Sequence, residues 1–335
     1  MILWELSQED LENWVVSKGY PKYRAHQIWG WVWNKGVSYP GQMTDLPLRL
    51  REKIEEELSI PHLALWHEAI SRDGTRKFLW HMPEGGSIES VWMPHSNRYT
   101  VCISSQVGCS LNCQFCATGR LGLERQLKGY EILLQVYTIK YILRLPVTHV
   151  VFMGMGEPLL NYSAVMEAME GLTSRLRMSP RRITLSTVGI PKGILRLAGR
   201  KEPFELAFSL HSAIPAKRQQ LIPLAAHISL EEIRHALAIY CQKRRDWVTL
   251  EYILLDGIND GKEDAEALLA FVRPPLYAKV NLLLYNPVQG LPFKPSSRVV
   301  SFQKQLLRGG LITTVRRSRG VDIGAGCGQL ARQFI

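Results

Sequence analysis

Three of the chain's six cysteines stand in VGCSLNCQFCATG, residues 107–119. They are Cys109, Cys113 and Cys116, spaced C-x3-C-x2-C. Three thiols are odd for disulfide pairing and one short of a structural zinc site. A catalytic zinc can use three protein ligands, but a histidine is usually among them. An iron–sulfur cube is held by thiolates, ordinarily four of them. With three, one iron stays open, and a small molecule carrying an amine and a carboxylate could chelate it. The other cysteines are scattered. Cys102 lies in a β-rich run, where a thiol more often packs a strand. Cys241 ends a helical stretch and reads as structural. Cys327 stands in VDIGAGCGQL, a glycine-rich segment expected to be mobile, where a lone thiol usually carries no function.

The elements that must position these thiols begin near residue 98. Six β-rich runs alternate with helical segments: YTVCISS, VTHVVFM, RITLST, FELAFSLH, VTLEYILL and AKVNLLLYN. This alternation predicts a parallel sheet, either doubly wound or curled into a barrel. Most of the runs end in polar or glycine residues: Ser104 and Ser105; Gly154, Gly156 and Glu157; Ser186 and Thr187; Ser209 and His211; Asn286. Each tip alone could be a strand terminator. Together they mark a common site at the carboxyl ends of the strands. In the first strand Thr100, Cys102 and Ser104 share one face.

Residues 1–65 read as a helical unit. LSQEDLENWVVSKG opens on a capping-box pattern, Ser7 with Asp10, and closes at Gly19. YRAHQIWGWVWNKG and LRLREKIEEEL are two further helices. Residues 66–97 read as a linking β-hairpin, TRKFLWHM and SIESVWMP around PEGG, and residues 98–335 as the core. Eight of the nine tryptophans fall before residue 93, and a packed small core accounts for them better than a base-stacking platform.

The chain has 335 residues, 46% of them hydrophobic, and a formal net charge of +11. No run of about 18 uncharged apolar residues is present, so no membrane span is predicted. MILWELSQED has no basic n-region and does not read as a signal peptide. A cytoplasmic protein with reduced thiols is expected. The positive charge favours an anionic partner, nucleic acid first. Three basic groups fit phosphate contacts: Arg175 to Arg182, Lys243 to Arg245, and Arg316 to Arg319.

The C-x3-C-x2-C loop with Phe115 before its third cysteine, heading βα repeats, resembles the radical S-adenosylmethionine (SAM) superfamily. Over essentially the whole chain the words YRAHQIWGWVWNKG, MTDLP, DGTRKFLW, IESVWMP, CISSQVGC, MGMGEPLLNY, ITLSTVGI, FSLHS, EYILLDGIND, NLLLYNP and AGCGQL resemble the RlmN/Cfr radical SAM methyltransferases of 23S rRNA. The resemblance implies a partial (βα)6 radical SAM barrel with the small helical N-terminal domain and the β-hairpin extension. It implies a 4Fe-4S cluster on Cys109, Cys113 and Cys116, and SAM bound by Gly156, Glu157, Ser186, Ser209, Leu210, His211 and Asn286.

The reaction so implied uses two SAM molecules per turnover. The first methylates Cys327. The second yields a 5′-deoxyadenosyl radical that takes hydrogen from the S-methyl group. The carbon radical adds to the adenine ring, Glu89 accepts the ring proton, and Cys102 forms a transient disulfide with Cys327 to free the RNA. A radical suits this atom, because carbon 2 of adenine is electron-poor and does not attack an electrophilic methyl. The implied partners are 23S rRNA, tRNA and an electron donor such as flavodoxin or ferredoxin; a monomer is expected.

Within the family, CATGRLGL resembles the carbon-8, antibiotic-resistance branch, whereas RAHQIWGWVW, DGTRKFLW and VRRSRGVDI resemble the carbon-2 branch, adenine-2503 of rRNA and adenine-37 of tRNA. The longer match favours carbon 2. Gly326 stands where alanine is the family habit. A solvated strand residue outside the barrel is the plain reading of Glu89, a loop cap that of Glu157, and a satisfied strand-end histidine that of His211. A non-enzymatic zinc-binding RNA module is the alternative from another class. It leaves GMGEP, SLH and the two distant cysteines unexplained.

Overall fold

The N-terminal helices form where their caps place them. In the computed structural model, which describes residues 1–331 apart from the side chain of Ala225, α1 (Gln8–Ser17) starts on its capping box. Ser7 Oγ accepts from Asp10 N, and Asp10 Oδ2 accepts from Ser7 N, both at 3.0 Å. α2 (Tyr23–Gly30) runs on into a π-helical turn over Trp31–Lys35, and α3 (Leu48–Glu57) closes the unit. Trp4 and Trp33 are fully buried between these helices and the core, with ring centroids 4.6 Å apart. The expected packed tryptophan core is there, although Trp66 is exposed.

Twelve strands follow. β1 (Ala64–Ile70), β2 (Arg76–His81), β3 (Ser87–His95) and β4 (Arg98–Cys102) form an antiparallel meander. A short antiparallel ribbon, β5 (Gln106–Gly108) with β6 (Leu123–Gln126), stands apart from it. From β4 the main sheet continues in parallel through β7 (His149–Phe152), β8 (Ile183–Thr187), β9 (Glu205–Ser209), β10 (Val248–Leu254), β11 (Ala278–Leu284) and β12 (Thr313–Arg316). The order is β1-β2-β3-β4-β7-β8-β9-β10-β11-β12 in one sheet. Helices α4 (Gly129–Tyr137), α5 (Tyr162–Ser174), α6 (Pro191–Ala198), α7 (Pro215–Leu221), α8 (Leu230–Arg244), α9 (Lys262–Phe271) and α10 (Val299–Arg308) lie between the parallel strands.

The fold is the expected partial barrel. Its first and last strands do not pair, and the inner face from β3 to β12 lines one cavity of about 1230 Å³. All six anticipated strands are present, and a seventh parallel strand, β12, comes from a stretch read only as basic. The hairpin is present as β2 and β3, but it is not a linker outside the barrel. With β1 it extends the main sheet through β4, so Glu89 lies inside a continuous sheet rather than on a solvated edge. Among the described residues no helix is long and apolar enough to cross a membrane.

Arg175, one of the arginines grouped as phosphate ligands, instead ties the helical unit to the core. Nη1 donates to Trp4 O at 2.6 Å and Nη2 to Leu6 O at 3.4 Å, and the guanidinium stands 5.0 Å from the Trp33 ring centroid. Replacing it strands acceptors in a part-buried seam. Arg175→Met is expected to lower stability by about 1–3 kcal/mol, read as a lower urea midpoint with an unchanged slope.

Candidate active site

The cysteine loop is pinched shut at its base. Where β5 ends, Cys109 N donates to Gly122 O at 2.8 Å. Gly108 has φ +78°, and a Cβ there would sit 1.9 Å from Gly122 O, so glycine alone fits. Within the loop Cys116 N donates to Cys113 O at 3.1 Å, and Gln114 N to Leu221 O at 2.9 Å. Cys109 and Cys113 are buried and Cys116 is half-buried. Burial pushes the Cys109 thiol up to about 12 and Cys113 well above its ordinary range, and the neighbouring thiols add to both.

These residues fit a thiolate-bound cluster. All three donors are soft sulfur, on one loop, and electrostatically coupled. Among the described residues no three His, Cys, Asp or Glu side chains converge tightly enough for a single metal ion. A countercharge is already in place. Arg218, 1% exposed, donates to Val188 O at 2.6 Å and Leu210 O at 3.1 Å. Its field favours the Cys113 thiolate, and burial pulls the guanidinium down to about 10. The sequence reading passed over Arg218. An arginine inside a short helix carries no signal until the fold turns it inward.

The rim residues gather beside the loop at the carboxyl ends of β7, β8, β9 and β11. Gly156 has φ +98° and would drive a Cβ to 2.6 Å from the Gln106 side chain. That closeness lets Gln106 Oε1 accept from Glu157 N at 2.8 Å. Glu157 is buried, with Oε1 accepting from Leu159 N at 3.0 Å and Oε2 from Val188 N at 2.9 Å. Burial outweighs these bonds and raises its carboxyl to about 7. It caps its loop, as the plain reading held, and it also acts electrostatically on Cys109 and Cys113.

Ser186 and Ser209 bring their hydroxyls to 3.3 Å, and Leu210 is fully buried beside them. His211, at φ +57°, accepts from Ile253 N through Nδ1 at 3.1 Å, so its proton is on Nε2. Burial lowers it to about 3 and keeps it neutral. Its ring meets Phe115 of the cysteine loop edge-on, with centroids 4.9 Å apart.

The segment carrying Cys327 is docked against the cysteine loop. Gly328 O accepts from Ala117 N at 2.8 Å, and Leu330 O accepts from Thr118 Oγ1 at 2.6 Å. Asn286 Nδ2 donates to Cys327 O at 3.2 Å and to Ser318 Oγ at 2.7 Å. Asn286 thus grips the tail rather than only the rim. A Cβ on Gly326 would come within 2.7 Å of Asn286 Nδ2, so the missing methyl gives that amide its room. All six cysteines are free thiols.

Cys102 and Cys327 line the same cavity and act electrostatically on each other. Cys327 is exposed, but into this cavity. Burial pushes Cys102 up to about 12 and raises Cys327 as well; Arg316 works against both shifts. Cys116 is also within electrostatic reach of Cys327, so the cavity and the cysteine loop adjoin at the tail.

Glu89 is fully buried and is not among the cavity-lining residues. Its Oε1 lies 3.1 Å from Lys77 Nζ, itself 5% exposed, and Oε2 accepts from Ala331 N at 2.8 Å. Of the three basic groups, Arg316 to Arg319 line the cavity, with Arg98 and Lys279. Arg244 instead binds the carbonyls of Arg200 and Glu202. A second cavity of about 600 Å³, between α7, α8 and α9, contains no thiol.

Two family models match the chain. One describes a ribosomal RNA large subunit methyltransferase N-terminal domain, over residues 1–60, and the other the radical SAM superfamily, over residues 103–272. The chain is 42% identical to a dual-specificity RNA methyltransferase RlmN of Solidesulfovibrio magneticus, covering 98% of this chain and 95% of that protein. It is 41% identical to a probable dual-specificity RNA methyltransferase RlmN of Cytophaga hutchinsonii, covering 97% and 91%. A crystal structure of a radical SAM methyltransferase from Sphaerobacter thermophilus superposes with a TM-score of 0.95 at 38% identity, covering 99% of this chain and all of that one.

Two outcomes follow from this geometry. Gly108→Ala should prise open the loop base and abolish anaerobic iron–sulfur reconstitution, read as lost absorbance near ~400 nm with far-ultraviolet circular dichroism unchanged. In cluster-free protein, Glu157 binds its proton more tightly folded than unfolded. Its contribution to stability is therefore present below the ordinary carboxyl value and lost as pH rises through about 7, by up to about 3 kcal/mol. Glu157→Gln should flatten the fall in melting temperature between those limits.

Proposed function

The chain belongs to the RlmN family of radical SAM RNA methyltransferases, and on that footing we propose that it methylates carbon 2 of adenine-2503 in 23S rRNA and of adenine-37 in tRNA through an S-methylated Cys327. One observation carries the two-thiol route: Cys102 and Cys327, from opposite ends of the core, share one cavity that adjoins the cysteine loop.

Cys109, Cys113 and Cys116 would hold a 4Fe-4S cluster, and Glu157, Ser186, Ser209, Leu210 and His211 would hold SAM beside it. Once bound, cluster and SAM supply the methyl group and the one-electron chemistry, two SAM per turnover. The remaining work belongs to the chain. A SAM ammonium beside Glu157 would keep that carboxyl ionised against its burial. Cys327 carries the methyl as a thioether, and Asn286 fixes the backbone carbonyl of that residue. Glu89, charge-paired with Lys77 and not a lining residue of the cavity in the resting fold, would take the proton from carbon 2 only once its bond to Ala331 N opens. The Cys102 sulfur then attacks the Cys327 sulfur. As the disulfide forms, the bond from the Cys327 sulfur to the RNA-bound carbon breaks, and that carbon takes up the Cys102 thiol proton to become the methyl group. The one electron left by the radical addition passes to a one-electron acceptor, and a reductant later restores both thiols. Arg98, Lys279, Arg317 and Arg319 at the cavity offer phosphate contacts. A flavodoxin or ferredoxin would deliver electrons to a monomeric enzyme.

The reading is tested with protein reconstituted anaerobically with iron and sulfide, given SAM, a reductant and RNA, and assayed by nucleoside mass spectrometry. 2-Methyladenosine is expected. Unmodified RNA, or 8-methyladenosine alone, overturns the reading. Cys102→Ala should accumulate a covalent RNA adduct and Cys327→Ala none; normal turnover by both variants would remove the two-thiol route.

A further inference from the structure

A polar row runs across the sheet, and three of its four residues, Glu251, Asn281 and Thr314, line the cavity that also holds Cys102 and Cys327. Ser209, Glu251, Asn281 and Thr314 stand in register on β9, β10, β11 and β12. Thr314 Oγ1 donates to Asn281 Oδ1, which fixes the amide orientation and leaves Nδ2 to donate to Glu251 Oε1 at 3.1 Å. Glu251 is 4% exposed and lines the cavity. Its second oxygen, Oε2, is buried and accepts no hydrogen bond among the described residues. Leaving a buried carboxylate oxygen unpaired is costly, and the rest of the row is already committed. Arg316, two residue pairs further along the sheet, and Cys327 are both within electrostatic reach of this carboxyl.

We propose that Glu251 reads the target base, its Oε2 accepting a hydrogen bond from the exocyclic amine of an adenine drawn into the cavity. The inference rests on the adenine-methylating function proposed above and names the group that would select the base. A cavity of about 1230 Å³ has room for a nucleoside. An ionised carboxylate accepts and does not donate. Adenine offers an N–H donor on carbon 6, where guanine offers a carbonyl oxygen, so guanine would set acceptor against acceptor. Carbon 2 lies one ring atom, N1, away from the carbon bearing the amine. An amine anchored at Glu251 therefore keeps carbon 2 closer to the anchor than carbon 8 is. Glu251 is a specificity residue in this account; it takes no part in methyl or electron transfer. The plain alternative is a buried carboxyl that merely balances the charge of Arg316.

The test measures binding by fluorescence anisotropy, using an RNA hairpin with adenosine at the target position and the same hairpin with purine riboside, which lacks only the amine. Wild-type protein is expected to prefer adenosine by about tenfold or more. Glu251→Gln, which keeps the side-chain shape and the Asn281 bond, should reduce the preference to about twofold or less, and Glu251→Leu should do the same if its thermal unfolding matches wild type. A wild-type protein indifferent to the amine, or a Glu251→Gln protein that keeps the full preference, overturns the assignment; a charge-balancing role alone gives the second result. Methyl transfer to the adenosine hairpin is followed in parallel. Its absence counts against the proposed reaction, while the affinity ratio separately decides the role of Glu251.

Discussion

The docking of residues 326–331 onto the cysteine loop holds the site together. Ala117 and Thr118 follow directly on the third loop cysteine, and they bind the carbonyls of Gly328 and Leu330. Asn286, at the end of β11, binds the carbonyl of Cys327 itself. Loop, strand tip and tail thus fix one another. Without these bonds Cys327 would be a thiol on a glycine-rich strand of chain, and its arrival at Cys102 would carry the full entropic cost of ordering that chain. With them, that cost is met in the resting fold.

Around this junction the protein buries charge, and several of the buried charges have an arranged counterpart. Lys77 lies against Glu89 within the sheet extension. Arg218 sits beside Cys113 with carbonyls around its guanidinium. Arg316 offsets, in part, the burial that keeps Cys102 and Cys327 protonated. Breaking any such pair would leave an uncompensated charge in a low-dielectric interior, which costs far more than a surface pair is worth. Burial holds these thiols toward their protonated form in the resting fold.

The chemistry was more legible than its setting. Cys109, Cys113 and Cys116 declare themselves by spacing, and the strand tips by polar residues after apolar runs. β1 was hidden because ALWHEAI carries no clean alternation and most of its side chains face outward. β12 was hidden because TTVR is four residues long and merges with a basic run. The ribbon of β5 and β6 is shorter than any pattern can register. Glu89 was placed outside the barrel because a hairpin was expected to stand alone; pairing of β3 with β4 draws it into the sheet. The tail's glycines suggest a mobile segment, yet Gly326 serves close approach to Asn286 and Gly328 supplies a positive φ beside the cysteine loop. Glu251 carries no signal in the sequence, and Arg316 shows there only as part of a basic run, since register across four strands, not spacing along one, sets them in the cavity.

The bond from Ala331 N to Glu89 Oε2 makes the tail an interlock. The same short segment that presents the Cys327 thiol also occupies the carboxylate on the far side of the junction. Retreat of the tail therefore breaks bonds at both places together: the sulfur swings from its seat as the carboxylate gains a free lone pair.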